Sequence, residues 1–196
     1  MCLFPEFKRN TLAVKLIQTE RLDLHHIEAD DLIYLFEKRD DSKVLAGKRF
    51  SNPYRVLIDF QGPLATTVAQ VRKDPILNKW FVRWVVLRST NEIIGSANFH
   101  SAPNENGVIE IGLDVETAFQ RQGYGKEILQ GMWEWVVTEP SVKMLRYVVR
   151  PTNLASMALI TSFGFNLMGE QIVEDNEVAD VYEMSADEYR KKFASR

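Results

Sequence analysis

Gly123 and Gly125 open a segment of helical periodicity, shortly after an alternating, strand-like run from residue 108 to 115. The first turn of a helix has backbone N–H groups without intrahelical acceptors, and with the helix dipole they attract anions. Glycine also lacks the Cβ atom that would hold phosphate oxygens away from the backbone. Residues 120–126 therefore predict a diphosphate-binding turn.

A glycine-containing helix start can also be purely structural, and the two glycines alone do not separate the two interpretations. Two glycines in one turn weaken a helix by about 1 kcal/mol each relative to alanine, which asks for a functional reason. Arg121 and Lys126 flank the glycines and add positive charge. A second helix is predicted to begin at Asn153, after the next strand, and to point the same way. These features favour the anion site.

The apolar periodicity predicts an α/β (α+β) fold, with a mixed, mostly antiparallel central sheet of about seven strands and helices on both faces. We expect one domain over residues 19–184, an N-terminal extension over 1–18, and a tail or short helix over 185–196. Strands are predicted at residues 19–24, 80–87, 93–100, 108–115, 144–149, 165–173 and 178–184. Helices are predicted at residues 27–39, 57–71 (broken by Gly62-Pro63), 123–139 and 153–163, the last closed by Gly164.

The composition is that of an ordinary globular protein, with 196 residues, 45% hydrophobic and 26% charged. The net charge of −3 disfavours a nucleic-acid partner, and no apolar run is long enough to span a membrane. The single cysteine, Cys2, excludes a disulfide within the chain and favours the cytoplasm. With one cysteine and three histidines that are not at ligand spacing, we expect no metal site.

Three motifs resemble those of one known family. Gln120-x-x-Gly123-x-Gly125 is similar to the Q/R-x-x-G-x-G/A signature of the GNAT superfamily of N-acetyltransferases. Thr19-Glu20-Arg21-Leu22, and Asn153-Leu154-Ala155-Ser156 leading to Phe163-Gly164-Phe165, resemble its RimJ/RimL-type branch, which includes N-terminal acetyltransferases of ribosomal proteins. The resemblance implies the GNAT fold and acetyl-CoA as donor. It also implies transfer of the acetyl group to a primary amine, a protein N-terminus or a small molecule, by direct attack in a ternary complex, in a monomer or homodimer.

The resemblance further implies which residues contact the donor. The diphosphate is expected on the turn, and the pantetheine arm along the end of the strand 108–115, where a backbone N–H near Leu113 would also stabilise the oxyanion. Asn153, on the second helix, is expected to contact coenzyme A. The expected cofactor-binding residues are Leu113, Val115, Gln120, Arg121, Gln122, Gly123, Tyr124, Gly125, Lys126 and Asn153.

Amine attack on a thioester requires an unprotonated amine. Deprotonation at pH 7 costs about 4–5 kcal/mol for an alkyl amine and about 1 kcal/mol for an α-amino group. Glu110 is the candidate general base, and His100 is an alternative base or proton relay. Ser156 resembles, in its place on the short helix, a serine that the RimJ/RimL-type branch carries near the sulfur, so it is the candidate acid for the departing thiolate, with Tyr182 as a competitor.

Structural roles compete with each of these assignments: a solvent-facing strand carboxylate for Glu110, a surface histidine for His100, and helix capping for Asn153 and Ser156. Two other kinds of protein also fit the sequence. One is an acyl-CoA-binding sensor or degenerate homologue without turnover, and the other is an interaction module whose glycine turn is structural.

Overall fold

The computed structural model describes residues 16–173 and 176–193, so Cys2 and most of the predicted N-terminal extension lie outside the described residues. The described strands form one sheet in the order β1-β2-β3-β4-β5-β6-β8-β7. They are β1 Ile17–Gln18, β2 Leu22–His26, β3 Arg83–Leu87, β4 Glu92–Phe99, β5 Val108–Val115, β6 Met144–Val149, β7 Asn166–Ile172 and β8 Val178–Ser185. The α-helices are α1 Ala29–Lys38, α2 Ser42–Leu45, α3 Gly62–Lys73, α4 Tyr124–Val136, α5 Leu154–Phe163 and α6 Ala186–Phe193.

The fold class is confirmed, and β5 and β6 have the predicted bounds. The sheet has eight described strands rather than about seven, because β1 pairs with β2 at the sheet edge. Gly62-Pro63 begins α3 instead of interrupting a helix, since proline is tolerated in the first turn, where its missing N–H would be unpaired anyway.

The strand predicted at residues 80–87 begins three residues later, at Arg83. Residues Pro75–Trp80 form a 3₁₀ helix whose start is capped by the Asp74 carboxylate, which accepts a hydrogen bond from the Ile76 N–H. The end of the 3₁₀ helix and the strand are both buried, so both are apolar. The sequence therefore does not show where helical periodicity ends and strand alternation begins.

The β5–β6 pair separates part-way along its length. The two strands are parallel, as expected for strands joined by the crossover helix α4, whereas every other described strand pair is antiparallel. Only residues 108–110 pair with 144–146. Beyond Glu110 the strands diverge, and the edge of β5 that faces β6 is left open.

Helices cover the sheet on both faces. On one face, Trp135 of α4 lies over Arg83, with 4.3 Å between the guanidinium carbon and the ring centroid. On the other face, Phe50, between α2 and α3, contacts Trp84 with ring centroids 6.2 Å apart. Because successive strand residues point to opposite faces, these contacts show that β3 lies in the core between two layers. None of the helices in the described part of the chain is long and apolar enough to cross a membrane.

Candidate active site

The start of α4 presents free backbone donors. Gly123 is the N-cap residue and adopts a left-handed conformation with φ of 85°, and no side chain caps the helix. The first N–H with an intrahelical acceptor is that of Glu127, which donates to the Gly123 carbonyl. Among the residues that the structure describes, the N–H groups of the preceding turn therefore have no intrahelical acceptor and are available to an anion.

Gly123 and Gly125 differ in whether the fold requires glycine at their positions. Gly123 needs the positive φ that side chains rarely adopt. A Cβ atom at Gly125 would meet Leu159 Cδ2 at 3.5 Å and Leu113 Cδ1 at 3.8 Å, which are ordinary van der Waals distances. Packing within the described chain therefore does not require glycine at position 125, in keeping with the alanine that the Q/R-x-x-G-x-G/A signature allows there.

Several side chains of the turn brace the loop. Gln120 Nε2 donates to the Val115 carbonyl at 2.8 Å, and Gln122 Nε2 donates to the Ala118 carbonyl at 2.9 Å. Tyr124 is 8% exposed and its side chain packs into the core, so only its backbone can contact a ligand at the turn. Arg121 and Lys126 are exposed at the rim.

A cleft of about 600 Å³ opens where β5 and β6 separate. Its walls include Gly112 and Leu113 from β5, Tyr147 from β6, and Asn153 and Ser156 at the start of α5. Its lining runs from His100, just after the end of β4, to Asn153 and Ser156 at the start of α5.

The backbone of β5 faces this cleft at alternate residues. The His100 N–H donates to the Glu110 carbonyl, so the polar groups of Glu110 point toward β4. Because peptide groups alternate along a strand, those of Leu113 and Val115 point toward the open edge. The Val115 carbonyl is occupied by Gln120, while Leu113 remains open to a ligand.

Glu110 and His100 form a contacting pair beside the cleft. His100 Nδ1 lies 3.0 Å from Glu110 Oε1, and the side chains are 51% and 24% exposed, respectively. A Cβ at Gly112 would lie 2.6 Å from His100 Nε2, so the imidazole can lie over β5 only because residue 112 has no side chain. Of these residues, His100 and Gly112 line the cleft directly.

At the start of α5, Asn153 is an N-cap: its side-chain oxygen accepts the Ser156 N–H at 3.1 Å. Both residues also line the cleft, so capping and ligand contact are compatible. Tyr147 and Ser156 line the same cleft. Burial raises the pKa of Tyr147, and the nearby Ser156 hydroxyl partly offsets the increase.

The sequence analysis missed Tyr147 and considered Tyr182 instead. The two tyrosines are register partners on β6 and β8, but Tyr147 lines the cleft and Tyr182 does not. The signal was present in the alternation of β6, since Leu145, Tyr147 and Val149 are its buried face.

Residues 21–166 match the sequence profile of the GNAT acetyltransferase domain, so the chain belongs to this family. This places it among the acetyl-CoA-dependent N-acetyltransferases and confirms the superfamily predicted from the motifs. The uncharacterised N-acetyltransferase p20 of Bacillus licheniformis is 27% identical over 176 residues, which cover 86% of this chain and 94% of that protein. The uncharacterised N-acetyltransferase YjdG of Bacillus subtilis (strain 168) is 32% identical over 90 residues, 45% of this chain and about half (54%) of that protein.

Solved structures share the fold. RimL, a ribosomal L7/L12 alpha-N-protein acetyltransferase solved in complex with coenzyme A, has a TM-score of 0.61 at 17% identity, covering 87% of this chain and 98% of RimL. The spermidine/spermine N-acetyltransferase SpeG from Vibrio cholerae has a TM-score of 0.62 at 13% identity, covering 88% of this chain and 98% of SpeG. At these identities the similarity concerns the fold and not the acceptor.

Proposed function

We propose that the protein transfers an acetyl group from acetyl-CoA to a primary amine by direct attack in a ternary complex. The observation that carries this proposal is the cleft where β5 and β6 diverge. Its open strand edge lies between the uncapped start of α4 and the capped start of α5. A linear donor with a diphosphate at one end and a thioester at the other fits this arrangement of groups.

The donor is held mainly by backbone. The diphosphate accepts hydrogen bonds from the first-turn N–H groups of α4, with Arg121 and Lys126 adding charge at the rim. The pantetheine arm pairs with the open edge of β5. The side-chain amide nitrogen of Asn153 is left to contact coenzyme A, because the side-chain oxygen of this residue is used on Ser156.

The His100–Glu110 pair receives the proton of the amine. With Glu110 accepting from His100 Nδ1, the Nε2 atom of the imidazole faces the cleft and can accept a proton. Glu110 then acts directly or through His100. A strong base is needed for an alkyl amine and much less for an α-amino group, because deprotonation at pH 7 costs about 4–5 and about 1 kcal/mol, respectively.

The amine nitrogen attacks the thioester carbonyl carbon, and the Leu113 N–H donates to the oxyanion that forms. Collapse of this intermediate breaks the C–S bond and releases the thiolate of coenzyme A. Ser156 donates a proton to the thiolate and regains one from water, while the proton taken from the amine leaves through the His100–Glu110 pair to solvent. The products are an amide and free coenzyme A.

The acceptor is a primary amine, whether a protein N-terminus or a small molecule. RimL acts on a protein N-terminus and SpeG on spermidine or spermine, so the shared fold accommodates both kinds of acceptor. A non-catalytic acyl-CoA sensor would keep the donor cleft and lack turnover.

Release of the free thiol of coenzyme A from acetyl-CoA, measured against a panel of amines and peptides, separates enzyme from sensor. We expect release that depends on an amine. Tight coenzyme A binding without release for any amine would support the sensor and contradict transfer.

A further inference from the structure

The segment Thr19–Arg21, which precedes β2, is fastened to the first turn of α4. Glu127 Oε1 accepts hydrogen bonds from the Thr19 hydroxyl at 2.5 Å and the Arg21 N–H at 2.6 Å, and Glu127 Oε2 accepts from Arg21 Nε at 2.7 Å. Burial would raise the pKa of Glu127, but these hydrogen bonds and the charge of Arg21 hold it below its ordinary value. Glu127 is therefore a charged anchor about one turn from the glycines.

The guanidinium of Arg21 extends from this anchor over the turn itself. Arg21 Nη1 donates to the Gln122 carbonyl at 3.1 Å, and the guanidinium carbon lies 4.2 Å above the centre of the Tyr124 ring. The remaining nitrogen, Nη2, lies 3.4 Å from the position of a Cβ on Gly123. Among the residues that the structure describes, no acceptor is found for this nitrogen.

We propose that Arg21 is a positioning residue for the diphosphate of the donor, an inference that rests on the proposed function. By holding the Gln122 carbonyl, Arg21 keeps that acceptor turned away from the phosphates and fixes Gly123 in its left-handed conformation. Its free Nη2 adds a charged donor beside the backbone N–H groups. The fork of an arginine makes all three contacts at once, which a lysine cannot do.

This role explains a contact that packing does not require. Arg21 is 41% exposed, while its partner Glu127 is 13% exposed. Hydrogen bonds to Glu127 and to the Gln122 carbonyl aim the guanidinium at the turn and leave Nη2 without an acceptor among the described residues, and a phosphate of the donor would supply one.

The test compares Arg21→Gln with wild type, using acetyl-CoA and acetyl-pantetheine, a donor that lacks the diphosphate. We expect the KM for acetyl-CoA to rise about tenfold or more, the usual effect of losing a hydrogen bond to a charged group, with kcat unchanged. The kcat/KM for acetyl-pantetheine should stay at the wild-type value. Calorimetric affinity for coenzyme A should fall by the same factor.

Arg88→Gln is the matched control. Arg88 is 37% exposed and holds the same segment through the Thr19 and Leu22 carbonyls, at 2.7 and 2.9 Å, but does not contact the turn. If Arg21 only stabilises the fold, both variants will lower Tm and alter both donors alike, which would overturn the proposal.

The failure of this inference differs from the failure of the proposed function. Coenzyme A binding that is equal in wild type and in Arg21→Gln would refute the role of Arg21 alone. No binding by wild type would refute the donor site as a whole. If Arg21→Gln does not fold, Arg21→Lys keeps the charge near Glu127 but loses the fork. Wild-type affinity for coenzyme A in that variant would contradict the proposal.

Discussion

At the scale of single residues, the proposed mechanism assigns deprotonation of the amine to the contacting pair Glu110 and His100. The carboxylate lies 3.0 Å from His100 Nδ1 at the point where β5 leaves β6. Successive strand residues point to opposite faces, so Glu110 and Ile109 lie on different faces of the sheet. Ile109 pairs with Leu145, and Tyr147 lies two residues beyond Leu145 on the same face. The Glu110–His100 pair is therefore on the opposite face from Tyr147 and Ser156. The proposed mechanism therefore places proton removal from the amine and proton delivery to the thiolate on different faces of the sheet.

Glu110→Gln should lower kcat/KM for an alkyl amine about 100-fold or more near pH 7, because a positioned general base contributes at least that much. The loss should be smaller for a peptide α-amino group, whose deprotonation costs about 1 kcal/mol. Steady-state rates over a range of pH check this expectation.

Asp114→Asn is the control for that variant, since Asp114 lies on the same face of β5 two pleats further along and lies outside the proposed machinery. An unchanged rate for the alkyl amine in Glu110→Gln, or an equal loss in both variants, would rule out Glu110 as the base.

At the scale of elements, the start of α4 combines a weak helix with an open anion site. A Cβ at position 125 would find ordinary contacts with Leu113 and Leu159. Gly125→Ala should therefore raise the free energy of unfolding by up to about 1 kcal/mol, because alanine favours the helix and restricts the unfolded chain. The same substitution should leave coenzyme A binding close to that of wild type, because the Q/R-x-x-G-x-G/A signature allows alanine at this position.

Urea unfolding and calorimetry measure these two effects separately. A variant that gains stability but loses affinity for coenzyme A would show that the ligand requires glycine at position 125. A variant that loses stability would show instead that the glycine has a packing role.

The sequence predicted the strands and helices whose apolar periodicity is clear. It also predicted the glycine turn, because the residues that form this turn are adjacent in the sequence. β5, β6 and the glycine turn appear where alternation and glycine spacing place them. The predicted start of β3 at residue 80 was wrong, since the strand begins at Arg83, because burial on both faces removes the polar positions that mark a period.

Tyr147 and the full role of Arg21 could not be read from spacing, because both depend on contacts between distant parts of the chain. Arg21 and Glu127 are 106 residues apart in sequence, and Tyr147 meets Ser156 only once α5 has packed on β6. Thr19-Glu20-Arg21-Leu22 indicated family membership, while its physical role emerged from the structure.

At the scale of the whole molecule, the core contains a charged side chain that is buried away from water. Arg83 is fully buried, and burial lowers its pKa to about 10. His26, its register partner on β2, has a pKa lowered to about 4 by burial and by the charge of Arg83. Asn78 Nδ2 lies 3.0 Å from His26 Nε2, a contact that suits the neutral imidazole.

This arrangement predicts loss of stability in mild acid. The folded pKa of His26, about 4, lies below the unfolded value of about 6.5, so the unfolded state binds the proton first. The contribution of neutral His26 to the free energy of unfolding is present above about pH 6.5 and is lost as the pH falls toward 4. It amounts to about 2 kcal/mol between pH 7 and pH 5.

His26→Gln cannot titrate, so its free energy of unfolding should fall less than that of wild type over this pH window. Urea unfolding at the two pH values measures the difference. Parallel losses in wild type and variant would mean that His26 does not govern acid stability.

The central claim is that the turn from Gln120 to Lys126 binds the diphosphate of the donor, and thermal unfolding with and without acetyl-CoA tests it most directly. At about 100 times Kd, binding should stabilise the wild type by about 2.7 kcal/mol and raise its Tm. Gly123→Glu, with a carboxylate in place of the open turn, should fold and show no such rise. An equal rise in both proteins, or none in the wild type, would contradict the account.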